Sequence, residues 1–198
     1  MQGPLEVPVL YDFASSLCYV AHRVMQRMKP ELDELEIRLV WQPLDLTRLT
    51  GWRRGDEIKG VRRENALRVS QELGVPLRMP DRWMDSRRAG AAALALRDSD
   101  AEPEFREAVW SAVYEHGRML DEGSWLGELA KGVGAPLDRV AGRRGLEALD
   151  LCTLEAAEAE VSGVPTFLLD RWPLGGIQED FTMRSLFTRY ARKKRGTH

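Results

Sequence analysis

"EVPVLYDFASSLCYVAHRVM", residues 6–25, changes its period halfway along, and that change sets the fold. Val7, Val9, Tyr11 and Phe13 fall on alternate positions, the spacing of a strand with one buried face. Leu17, Val20, Ala21, Val24, Met25 and Met28 then recur at helical spacing, until Lys29-Pro30 closes the helix. In "LEIRLVWQP" (35–43) the alternation returns, with Leu35, Ile37, Leu39 and Trp41 on one side. Strand, helix and strand within about 40 residues is the pattern of a crossover joining two parallel strands.

Beyond residue 60 the spacing is almost wholly helical. "VRRENALRVSQELG" (61–74) runs into a glycine stop, and "SRRAGAAALALRD" (86–98) follows a capping residue, Asp85 or Ser86. "PEFREAVWSAVYEHGRML" (103–120) puts Phe105, Ala108, Val109, Ala112, Val113, His116 and Met119 on one stripe, which places His116 at the edge of a core. Shorter helical pieces follow as far as Val161. Then "SGVPTFLLDRWPLGG" (162–176) reads as two short strands about a turn at Asp170-Arg171. A last helix, capped by Asp180, packs Met183, Leu186, Phe187 and Tyr190. The order predicts an α/β fold, β-α-β … β-β-α, in which residues 1–60 and 161–198 form one domain and residues 61–160 a helical insertion. The six tryptophans read as core packing, with a pocket between sheet and insertion as the alternative use.

The bulk composition narrows the function. The chain has 198 residues, is 43% apolar and 30% charged, and carries a net charge of −2. That balance predicts a soluble globular protein without a nucleic-acid or membrane partner. No apolar run approaches the roughly 18 residues of a spanning helix, and the N-terminus lacks a secretory pattern, so a cytoplasmic location is expected. The basic stretch 189–198 reads as the solvated end of the last helix. His22, His116 and His198 form no cluster, Cys18 and Cys152 show no ligand spacing, and no metal is expected. In a cytosolic chain the two cysteines read as separate thiols.

Two stretches carry chemistry. Ser15, Ser16 and Cys18 lie at the start of the first helix, where unpaired N–H groups and the helix dipole favour negative charge by a few tenths to about 2 kcal/mol. A thiol there is activated and a hydroxyl can hold an anion, although a plain serine cap and a small apolar cysteine also fit. In "GVPTF" (163–167) Pro165 opens an apolar strand, the one strand position that does not need its N–H. A cis Val164-Pro165 bond would leave the main chain of Val164 free to pair with an extended ligand.

Together these stretches resemble the thioredoxin-like DsbA family, in the branch of FrnE-like proteins, 2-hydroxychromene-2-carboxylate isomerases and kappa-class glutathione transferases. "SSLCYVA" (15–21) lies in register with the family's C-P-W-C motif, "GGIQ" (175–178) is similar to its Gly-Ala-Gln segment, and "RWMDSRRAGAAAL" (82–94) to its insertion helix. In that register Ser15 replaces the nucleophilic cysteine, and Cys18 stands at the resolving position. A serine forms no disulfide, which argues against a standard dithiol exchange. The resemblance implies a DsbA-type oxidoreductase working through Cys18 or glutathione. Its alternative is a glutathione-dependent isomerase or transferase in which Ser15 holds the cofactor thiolate. A non-catalytic binding protein is the third reading. Catalytic roles would fall to Ser15 and Cys18, and glutathione contacts to Ser16, Val164, Pro165 and Gln178. The partners expected are a small thiol or electrophile, or protein thiols, with a homodimer as an open alternative. The chain departs from the isomerase pattern at Ile177 and Gln178, and lacks the asparagine those relatives carry downstream of Pro43.

Overall fold

The computed structural model describes residues 3–170 and 172–196. Strand β1 (Leu5–Tyr11) pairs in parallel with β2 (Ile37–Pro43), in register from Leu5–Ile37 to Tyr11–Pro43. Between them run helix α1 (Ser16–Arg27) and the short α2 (Lys29–Glu34). Lys29-Pro30 does end α1, but Pro30 then sits in the first turn of α2, where its missing N–H would have had no partner anyway. Strand β3 (Thr166–Leu169) lies antiparallel to β1, with Val9 opposite Phe167 and Leu10 opposite Thr166. Strand β4 (Trp172–Gly175) pairs antiparallel with β3, giving the sheet order β2-β1-β3-β4. Asp170 takes a left-handed φ of 60° in the turn between them, while its partner Arg171 lies outside the described residues.

A 3-10 turn (Leu46–Arg48) and six α-helices separate β2 from β3 among the described residues. The α-helices are α3 (Gly60–Glu72), α4 (Arg87–Leu96), α5 (Ala101–Tyr114), α6 (Trp125–Gly132), α7 (Leu137–Val140) and α8 (Arg143–Glu158). The last helix, α9 (Asp180–Arg195), packs Met183, Phe187 and Tyr190 inward and ends at Gly196 in the left-handed region. This is a thioredoxin-like α/β fold with a helical insertion.

Three expectations need correcting, and one pair of alternatives is resolved. Helix α5 stops at Tyr114, because Gly117 turns the chain with φ +71°, so His116 is exposed rather than at a core edge. Asp180 is a first-turn residue, and Glu179 occupies the cap position without a side-chain cap bond. Of the two capping candidates before α4, Asp85 accepts the Arg87 N–H at 3.1 Å, and Ser86 makes no cap bond. Leu17 is only half-buried on α1, whose inner face is instead Cys18, Tyr19, Val20, Ala21, His22, Val24 and Met25.

The core joins sheet and insertion through one aromatic cluster. Trp110 of α5 packs against Tyr11, Phe13, Trp41 and His22 with ring centroids 4.7–5.6 Å apart. Trp52 and Trp83 stack on each other, and Trp125 donates to the Met119 carbonyl. Trp172 is 67% exposed on the edge strand β4, so the six tryptophans do not share one pocket.

Candidate functional site

The site grows out of the turn between β1 and α1. Asp12 receives the Ser15 N–H on its carbonyl at 3.0 Å and the Ala14 N–H on its side chain at 2.8 Å. Tyr114 of α5 donates its hydroxyl to the Phe13 carbonyl at 2.9 Å. These bonds fix Ser15 in extended backbone, φ −87° and ψ 111°, as the N-cap residue of α1. Its carbonyl takes the N–H groups of Cys18 and Tyr19, but its hydroxyl makes no cap bond. The N–H groups of Ser16 and Leu17 have no acceptor among the described residues, and no acidic residue occupies the first turn. A hydroxyl not used for capping and free donors at the positive end of a 12-residue helix suit an anion.

Ser15 and Cys18 part company here. Ser15 keeps 6% of its surface, whereas Cys18 keeps none. Burial pushes the Cys18 thiol up to about 12, and the facing Ser15 hydroxyl offsets only part of that. A rise of about three units is roughly 4 kcal/mol against the thiolate, more than the largest dipole contribution expected at a helix start. Desolvation wins over the helix terminus, and at neutral pH the Cys18 sulfur is a protonated core atom. Cys152 of α8 is half-buried with a raised pKa, mainly from burial, and the two thiols are free.

The other expected residues approach from the far side of the turn. Because Leu10 pairs with Thr166, the chain leaving β1 for Ser15 runs beside the segment Val164-Pro165 that enters β3. The Val164-Pro165 peptide bond is cis. Val164 is half-buried, and neither its N–H nor its carbonyl has a backbone partner among the described residues. The Pro165 carbonyl takes the Gly176 N–H at 2.7 Å, which draws the 175–178 segment to the same end of the sheet. Gln178 is exposed there and Ile177 is buried. Ser16 is buried in the first turn of α1.

Sequence reading missed the supports behind this turn. The buried carboxylate of Asp12 also accepts the Leu46 N–H at 2.8 Å, and the Ser86 hydroxyl faces it. Asp45, likewise buried, accepts from Thr47 and Arg54, and its own N–H goes to the Thr153 hydroxyl at 2.9 Å. A charged residue within the apolar run Tyr11-Asp12-Phe13 was the one visible signal. Replacing Thr153 by valine keeps the volume but strands the buried Asp45 N–H. The expected loss is about 1–3 kcal/mol in a urea titration, and an unchanged midpoint would show that this bond is dispensable.

A second buried cluster lies along α1 and α5. His22 Nε2 meets Glu107 at 2.6 Å, and His22 Nδ1 meets Arg106 at 3.0 Å, with Arg106 paired to Glu102. Burial pushes His22 down to about 4, while the bond from His22 holds Glu107 down at about 2. The ring is therefore neutral, accepting from Arg106 and donating to Glu107. His22, Met25, Trp41 and Arg106 line a cavity of about 840 Å³, and Tyr19, Arg23 and Glu115 help line another of about 620 Å³. Ser15, Val164 and Gln178 line neither of them. Among the described residues no group of His, Cys, Asp and Glu is arranged to hold a metal ion, and no helix is long and apolar enough to cross a membrane.

Residues 6–186 match the DSBA-like thioredoxin domain family. No curated protein matches the chain. Among solved structures, a 2-hydroxychromene-2-carboxylate isomerase is similar, with a TM-score of 0.74 and 22% identity over 98% of this chain and all of its own. A probable DsbA oxidoreductase from Streptomyces coelicolor has a TM-score of 0.71 and 18% identity, over 94% of this chain and 89% of its own. The cytosolic disulfide reductase DsbM from Pseudomonas aeruginosa, solved with glutathione, has a TM-score of 0.66 and 20% identity, over 95% of this chain and all of its own. At these identities the likeness is one of fold.

Proposed function

The chain belongs to the DSBA-like thioredoxin domain family, and from that premise we propose a glutathione-dependent enzyme of isomerase or transferase type, with Ser15 holding the cofactor sulfur. The observation that carries this reading is the contrast between two neighbouring side chains. Cys18 is sealed in the core with its thiol pushed up to about 12, while the Ser15 hydroxyl stands at the helix start without a cap bond. A one-cysteine redox route needs an accessible thiolate, which burial withholds from Cys18.

The residues of this turn fit glutathione. The Ser15 hydroxyl and the free N–H groups of Ser16 and Leu17 offer donors to an anionic sulfur. Val164 offers an unpaired main-chain donor and acceptor to a peptide backbone, and Gln178 an exposed amide at the same end of the sheet. When bound, glutathione supplies a sulfur nucleophile for a small electrophilic substrate. Ser15 lowers the cost of ionising that sulfur, and Val164 orients the cysteinyl backbone. The fold shared with a 2-hydroxychromene-2-carboxylate isomerase and with a disulfide reductase solved with glutathione supports the choice of ligand.

The test is an ultraviolet thiolate titration of glutathione in the presence of the protein. Wild type and Cys18→Ala are expected to lower the thiol pKa by about one unit or more, and Ser15→Ala to lose most of that shift. A mixed disulfide at Cys18 after incubation with oxidised glutathione, found by intact mass and peptide mapping, would overturn the reading in favour of the one-cysteine route. Absence of binding in every variant would leave a non-catalytic binding protein.

A further inference from the structure

Asp12 has no chemical task in activating a glutathione sulfur, yet this side chain holds the Ser15 turn together. It is 1% exposed and sits between three separate parts of the chain. One carboxylate oxygen accepts the Ala14 N–H and the other the Leu46 N–H, both at 2.8 Å, while the main-chain carbonyl accepts the Ser15 N–H at 3.0 Å. The buried Ser86 hydroxyl, at the start of α4, faces the same carboxylate. One residue thus ties the turn before α1 to the loop after β2 and to the insertion.

We propose that Asp12 is the positioning residue of the Ser15 site, and that its ionised carboxylate keeps the first N–H groups of α1 in their binding arrangement, so that mild acid loosens the site. The proposal takes its ligand from the Ser15 reading, but the hold on the turn is independent of it. The chemistry of the partners gives the reason. Ala14 and Leu46 present N–H donors that cannot accept a proton, so a protonated Asp12 has only the Ser86 oxygen to donate to. Gaining the proton turns one strong charge-assisted acceptor into a donor and weakens the remaining contacts.

The surroundings put this change within reach. From the loop after β2, Asp45 adds a like charge, itself paired with Arg54. From α4, Ser86 favours the ionised form, and Asp85 beyond it is taken up by Arg87 and Arg54. From α1 the neighbour is the protonated Cys18 thiol, and from α5 the Tyr114 hydroxyl, already committed to the Phe13 carbonyl. On β1 the buried Tyr11 is held neutral by desolvation. Burial is the largest influence on Asp12 and lifts it to about 6.

The experiment follows two readouts of the whole protein between about pH 7.5 and about pH 5. One is the NMR shift of the amides of Ala14, Leu46, Ser15, Ser16 and Leu17. The other is the affinity for S-methylglutathione, whose sulfur neither titrates nor carries a charge for Asp12 to repel. All five amides are expected to move with one midpoint near 6, and the affinity to fall roughly tenfold with the same midpoint. Asp12→Asn should flatten both profiles. Ser86→Ala, which removes a donor without touching the turn, should shift both midpoints upward together and serves if the first variant does not fold. The proposal is overturned if Ala14 and Leu46 titrate while Ser15, Ser16, Leu17 and the affinity stay flat. If the amides move together but no glutathione derivative binds at any pH, the hold by Asp12 stands and the glutathione reading falls.

Discussion

Truncating Trp110 to alanine is expected to remove about 3–5 kcal/mol of unfolding free energy, and to do so in a single transition. Trp110 is fully buried on α5, and its contacts are β1 and the residues just after it (Tyr11, Phe13), α1 (His22) and β2 (Trp41). The Arg106 guanidinium lies over both Trp41 and Trp110. The cavity would therefore open at the joint between sheet and insertion, where neither side can collapse without moving the other. One feature works in the opposite direction: the buried Trp110 Nε1 has no hydrogen-bond partner among the described residues, so its removal returns about 1–3 kcal/mol of desolvation. Trp110→Phe, which fills most of the space and drops that N–H, should accordingly cost far less than alanine. Urea titrations of both variants, read by far-ultraviolet circular dichroism and tryptophan fluorescence, check this. Two separated transitions, with only one shifted by the alanine, would show that the insertion unfolds on its own and that Trp110 is no joint.

The layout of the sheet and the place of Ser15 were legible because they depend on neighbours in sequence. Val7, Val9 and Tyr11 alternate within β1, the run from Val20 to Met25 repeats at helical spacing, and both periods are local consequences of burying one face. The fate of Cys18 was not legible. A helix start is visible in sequence and favours a thiolate, but the buried core that encloses Cys18 is gathered by the whole fold, and its desolvation outweighs the dipole. His116 failed for a related reason. The apolar stripe continues through it, while Gly117 lets the chain turn away where a side chain would meet Arg78. Clusters drawn from distant segments were equally hidden. Asp12, Leu46, Ser86 and Thr153 come from four separate segments of the chain, and His22 reaches Glu107 across 85 positions, so that no spacing rule connects them.

The largest expected pH effect follows from two of those buried groups, which oppose each other. His22 is held neutral by burial, down at about 4 against an ordinary 6.5. Between those values the unfolded chain binds a proton there that the folded chain does not, so acidification through this window destabilises the fold. Two and a half units correspond to roughly 3 kcal/mol. Asp12 acts with the opposite sign. Its folded value of about 6 lies above the ordinary 3.8, so between those values the folded chain binds the extra proton, and acidification stabilises by a similar amount. The two nearly cancel, and their joint contribution to wild-type stability should change little between about pH 6.5 and about pH 4. Substituting His22→Gln uncovers the imbalance. A glutamine oxygen can accept from Arg106 as Nδ1 does, and its amide can donate to Glu107 as Nε2 does, while nothing titrates. The difference in unfolding free energy between His22→Gln and wild type should grow in favour of the variant by roughly 3 kcal/mol from about pH 7 to about pH 4. Ion pairs such as Arg23 with Glu107 and Glu115 are present in both proteins and drop out of that difference. Stability curves that run parallel over this range would mean that His22 titrates alike folded and unfolded, and that the His22–Glu107–Arg106 cluster does not hold the ring neutral.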